Sequence, residues 1–117
     1  MKIVKVVNVT KGVVIAHQAR IAASLAQRMQ GLLGTKGLGP DQALILKPCT
    51  SVHTFFMRFP IDVVFVDKKM CVIKTIPKMP SFRLSPFIWA SSIAIELPAG
   101  KIAQSNTCRG DILEFRY

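Results

Sequence analysis

Acidic residues are scarce in this sequence. Its 117 residues carry six Asp and Glu against sixteen Lys and Arg, a net charge of +10 at pH 7. Histidine and cysteine are scarce too, with two and three copies. Cys49, Cys71 and Cys108 are odd in number, widely spaced and contain no CxxC pair. That excludes a disulfide framework and a cysteine-built zinc site. The expectation is three reduced thiols, at least two of them buried, with no metal and no cofactor. No long apolar run is present: residues 3–15 are interrupted by Lys5, Asn8, Thr10 and Lys11. The segment therefore reads as neither a membrane helix nor a signal peptide, and the expected compartment is the cytoplasm. Repeats, linkers and low-complexity tracts are also missing.

Half of the residues are apolar, which argues against disorder. The length suits a single domain over residues 1–117, large enough for its own core. Residues 2–9 and 13–18 are β-branched runs around Thr10-Lys11-Gly12, a hairpin with Gly12 supplying positive φ. Ile21, Leu25, Met29 and Leu32 then recur at helical spacing. They predict one short helix near 22–33, opened by Ser24 and Gln27 as a capping box. Further strands are expected at 43–47, 51–57, 61–66, 71–76, 91–97 and 113–117. Residues 61–66 are apolar on both faces, so that strand should be central and doubly covered. In the last strand Leu113, Phe115 and Tyr117 should point inward, Glu114 and Arg116 outward. About seven or eight short strands, with turn signals every 8 to 12 residues, predict a mainly β fold, a sandwich or a barrel.

Four clusters resemble a known family. They are Arg28-Met29-Gln30-Gly31-Leu32-Leu33; Pro48-Cys49 with 52–57 (VHTFFM) and 60–65 (PIDVVF); Glu96-Leu97-Pro98-Ala99-Gly100; and Gly110-Asp111-Ile112-Leu113. In this order they resemble the bacterial and archaeal domain of unknown function 192, over about residues 19–113. The resemblance implies a compact, mainly β domain and carries no catalytic role. It also leads us to expect a glycine in the turn near 68–70, where this chain has Lys68-Lys69-Met70.

Several polar residues are candidates for a site. His53, in an aromatic segment, suits a base, a ligand or a pH switch, or else a packed histidine bonded to backbone. Cys49 precedes it by four residues, about 13 Å of extended chain, so a Cys–His dyad needs the chain to fold back. Asp62 opens the most apolar strand and is either a turn cap or an acid with a shifted pKa. Arg28 and Glu96 suit a structural ion pair fixing the helix on the sheet. Residues 79–89 combine Phe82, Arg83, Phe87 and Trp89 with stiffening prolines, the makings of interface anchors or of a lid over the core.

Three functions follow as expectations. The first is a non-catalytic binding or accessory module holding a small ligand or protein partner between His53, Phe82, Arg83 and Trp89. The second is an enzyme using His53 and Asp62, with or without Cys49, in one pocket. The third is a nucleic-acid or anionic-surface binder working through its charge, although the basic residues are dispersed and no nucleic-acid motif is visible.

Overall fold

The computed structural model describes residues 2–24, 27, 37–55 and 57–117. Strands β1 (Lys2–Asn8) and β2 (Val13–Ala22) form the expected hairpin, with Gly12 at φ 67° in its turn. They are followed by β3 (Gln42–Leu46), β4 (Ile61–Val66), β5 (Val72–Met79), β6 (Ile93–Pro98), the short helix α1 (Lys101–Ser105) and β7 (Leu113–Arg116). The seven strands make one sheet in the order β5-β4-β6-β3-β2-β1-β7, antiparallel except for the β2–β3 pair.

The sheet curls into a half-barrel until its two edges touch. Cys71 at the head of β5 bridges Ile112 at the head of β7, and the Val72 and Leu113 amides donate to the Asp111 and Met70 carbonyls. One core cluster therefore takes residues from all seven strands, among them Val6, Ile15, Ile45, Val64, Val72, Ile95 and Leu113, with Ile102 of α1 at its margin. Of the two architectures the strand pattern left open, this is the barrel-like one. Among the described residues no second sheet covers the outer face.

Loop segments cover it instead. A second cluster joins Leu44, Leu46, Val63, Phe65 and Ala94 on the outer face to Val52, Met57, Phe59 and Ile88 from the two loops flanking β4 and β5. Strand β4 is buried at every position because alternate residues serve the two clusters, Val64 and Val66 inward, Ile61, Val63 and Phe65 outward. That bears out the doubly covered strand, although in the sheet order β4 stands beside the edge strand β5 and not at the centre.

Other local expectations need correction. Residues 51–55 and 57 belong to no sheet strand: among the described residues they make an isolated bridge, His53 to Leu84, and the Met57 amide donates to the Thr54 carbonyl. None of the thiols is fully buried; Cys49 and Cys71 are half-buried and Cys108 is exposed. Tyr117 is exposed rather than inward, with the Lys2 ammonium 4.3 Å from its ring centre. Helix α1 escaped notice because five residues carry no readable period; Gly100 (φ 97°) and Asn106 (φ 55°) bracket it. In the turn after β4, Met70 itself takes φ 64°, the conformation for which a glycine was expected. The Asp67 carboxylate holds that turn by accepting from the Lys69 and Cys71 amides. Most of the helix expected over 22–33, with Arg28, lies outside the described residues. At its start the Gln27 amide donates to Ser24 Oγ at 3.1 Å and Gln27 Oε1 accepts from the Ala23 and Ser24 amides, the anticipated capping arrangement.

Candidate functional site

The two outer loops are bonded to each other side by side. The Thr54 amide donates to the Arg83 carbonyl (2.9 Å), the Phe82 amide to the Thr54 carbonyl (2.9 Å), and the Ser85 amide to the Val52 carbonyl (2.9 Å). Farther along, the Ile88 amide donates to the Thr50 carbonyl at 2.7 Å. Side chains lock the pairing: Thr54 Oγ1 accepts from the Arg83 amide, and Ser85 Oγ from the Val52 amide, both at 2.9 Å. Thr54 and Ser85 are buried, so these bonds work away from water.

The side chains of the paired loops divide between the core and solvent. Val52, Met57 and Ile88 go down onto the outer core cluster. Facing solvent are His53, Phe55, Phe82, Arg83, Leu84, Phe87 and Trp89. Trp89 is 83% exposed, Phe87 71%, Leu84 66% and Phe82 57%. The His53 and Phe55 rings stack at 5.4 Å between centres. Phe82, Leu84, Phe87 and Trp89 are therefore not folded onto the core. With the Arg83 guanidinium among them they form a ledge of exposed apolar groups along one loop. Phe82 takes φ 60°, a conformation costly for a bulky residue.

Asp62 sits elsewhere. It alternates with Val63, so its carboxylate faces the inner side of the sheet, opposite the ledge. Oδ1 accepts from the amides of Lys78 (2.8 Å) and Gly100 (3.1 Å), Oδ2 from that of Ile102 (2.7 Å). Three amide donors on a fully buried carboxylate are the arrangement of a cap, tying β5 and the start of α1 to β4. The structure thus puts His53, Phe82, Arg83 and Trp89 in solvent on two hydrogen-bonded loops and leaves Asp62 out. Cys49 lies at the base of the ledge, its amide donating to the Ser92 carbonyl and its thiol to the Ser51 carbonyl at 3.0 Å.

Glu96 faces the outer cluster from β6, between Leu44 and Val63 on the neighbouring strands. It is 3% exposed, and among the described residues no hydrogen bond reaches its carboxyl group. Burial pushes its pKa up to about 8. A hollow of about 200 Å³ lies apart from the ledge, lined by residues that include Pro40, Pro98, Gly100 and Lys101. That is small beside the roughly 300–1,000 Å³ of a ligand pocket. Among the described residues no cluster of His, Cys, Asp and Glu is arranged to hold a metal ion, and no helix is long and apolar enough to cross a membrane.

A family model described as "Uncharacterized ACR" matches residues 6–115. The chain is 33% identical over 113 residues to the UPF0127 protein of Thermococcus sibiricus, covering 93% of this chain and 73% of that one. Among solved structures it resembles a protein of unknown function from Novosphingobium aromaticivorans, with a TM-score of 0.82, 21% identity and coverage of 96% and 83%. It also resembles a candidate transcription regulator from Sinorhizobium meliloti, with a TM-score of 0.78, 20% identity and coverage of 96% and 91%. At such identities the two structures attest to the fold alone.

Proposed function

The chain belongs to the uncharacterised DUF192 family, and from that premise we propose that it is a non-catalytic docking module whose aromatic ledge receives an acidic, apolar segment of a partner protein. The observation that carries this reading is the exposure of Phe82, Leu84, Phe87 and Trp89 on a loop whose backbone is hydrogen-bonded to the His53 segment at Phe82, Arg83, Ser85 and Ile88. Holding large rings in water on a hydrogen-bonded, proline-bearing loop lowers the ordering cost of binding. Aromatic groups with an arginine among them are the usual anchors of protein interfaces. Rings that project rather than enclose suit a flat partner surface better than a small molecule. The net charge of +10, with Arg83 between Phe82 and Leu84, favours acidic groups beside the partner's apolar ones.

A displayed random-peptide library tests this. Selection on the intact protein should enrich peptides that combine Asp or Glu with aromatic or aliphatic residues. Their binding should weaken at least tenfold when Phe82 and Trp89 are both replaced by alanine. Peptides of no common composition, or binding indifferent to those substitutions, would contradict the reading. Selection of polyacidic peptides lacking apolar residues would transfer the function to charge alone.

A further inference from the structure

Away from the ledge, the tip of the β1–β2 hairpin meets the loop between α1 and β7 at one polar cluster. Lys11 Nζ lies 3.2 Å from Cys108 Sγ and 3.1 Å from each carboxylate oxygen of Asp111. The lysine is held at both ends, for its own amide donates to Asn8 Oδ1 at 3.0 Å. Asp111 is fixed in turn by Asn8 Nδ2 at 2.9 Å and the Cys108 amide at 3.0 Å. Asn8 is fully buried and also donates to Thr107 Oγ1 at 3.1 Å. An amine and a thiol are thus pinned in contact by a buried scaffold, while Cys108 itself is open to solvent.

We propose that Lys11 and Cys108 are a redox-modification site, at which a hydroperoxide from solution joins the two side chains through a sulfur–nitrogen bond. The thiolate is the form of a cysteine that reacts. In the first step the thiolate attacks the outer oxygen of the hydroperoxide. The S–O bond forms, the O–O bond breaks, and the leaving alkoxide takes a proton as the alcohol, or water from hydrogen peroxide. Sulfur is oxidised by two electrons to the sulfenic acid and the peroxide is reduced by two. In the second step Lys11, having released one proton to solvent, attacks the sulfenic sulfur. The S–N bond forms, the S–O bond breaks, and hydroxide leaves as water with a second lysine proton. The sum is one thiol, one amine and one hydroperoxide giving one sulfenamide, one alcohol and one water.

Geometry favours this route over further oxidation. The nitrogen already touches the sulfur, so the sulfenic acid meets an internal nucleophile before a second peroxide. Hydrogen bonds that Lys11 donates to Cys108 and then to Asp111 hold its pKa above the ordinary value, so the second step should quicken as pH rises. The groups facing the pair are Asp111, Asn8 and Thr107, and Asp111 stays ionised: burial pushes its pKa up, but its donors outweigh that and bring it to about 2. The link would close a loop of 97 residues between positions 11 and 108, constraining the unfolded chain as a disulfide does.

Treating the intact protein with hydrogen peroxide and mapping it by mass spectrometry tests the proposal. The expected product is a Lys11 peptide joined to a Cys108 peptide, lighter than their sum by two hydrogens, released by thiol reductant, and accompanied by a higher Tm. Lys11→Arg keeps the charge and the fold but lacks a primary amine; it should lose the linked pair and carry Cys108 on to sulfinic acid. Three outcomes would overturn the idea: a wild-type Cys108 that reaches sulfinic acid with Lys11 unmodified, a link that retains the oxygen, or equal linking of lysines to Cys49 or Cys71.

Discussion

Thr54 and Arg83 grip each other twice: the Thr54 amide donates to the Arg83 carbonyl and the Arg83 amide donates to Thr54 Oγ1, each at 2.9 Å. This buried threonine joins the His53 segment to the aromatic loop. Thr54→Val keeps the shape and removes the acceptor. It should cost about 1–2 kcal/mol, because the Arg83 amide loses its side-chain partner. Urea unfolding measures that cost. Hydrogen exchange should show faster opening confined to 80–88, leaving β4 and β6 protected.

The ledge should be separable from stability. Phe82, Arg83 and Trp89 are exposed, so the triple alanine variant should stay within about 1 kcal/mol of the wild type by thermal melting. Peptide binding should vanish in the same protein. A variant that unfolds would show the rings to be core.

Glu96 makes stability depend on pH. Its folded pKa, about 8, lies above the ordinary 4.5 because burial disfavours the charge. The folded state therefore binds the proton more tightly. The stabilisation is complete below pH 4.5 and is lost as pH rises towards 8. Glu96→Gln should flatten this slope and raise stability at pH 8 by a few kcal/mol. Urea midpoints at pH 5 and pH 8 decide it; an unchanged slope in the variant would assign the effect elsewhere.

Asp62 is a cap whose loss should be felt in three places. Asp62→Ala leaves the Lys78, Gly100 and Ile102 amides without their acceptor in a buried site. The expected cost is roughly 3–5 kcal/mol, in the range for breaking a buried network. Asp62→Asn should recover part of it through its one carbonyl oxygen. Denaturant melts of the three proteins give the order, and hydrogen exchange should place the damage at α1 and the end of β5.

Much of this was legible in the residues. Alternation located the strands because a curled sheet with two cores buries alternate residues on each side, and an unbroken apolar run marked 61–66 as covered on both faces. Gly12 marked its turn through positive φ. Met70 takes the same kind of conformation without a glycine, so no composition rule finds it. Segment 51–57 reads as a strand by residue type, yet its partner is a loop, and pairing between segments about 30 residues apart leaves no local pattern. Asp62 showed its nature as a cap, because an ionised group opening an apolar strand needs donors. The Lys11–Asp111–Cys108 contact was invisible, since it joins positions about 100 apart. For the ledge, composition named Phe82, Arg83 and Trp89, but only the fold shows that the rings face water.

The most direct measurement uses Trp89, the only tryptophan in the chain. In the free protein its emission should be that of a water-exposed indole and should be quenched freely by iodide. Adding a selected acidic–apolar peptide should shift the emission to the blue and shield it from iodide, with the Phe82→Ala protein responding only at tenfold higher peptide. Emission already blue and shielded in the free protein, or unmoved by a bound peptide, would contradict the docking account.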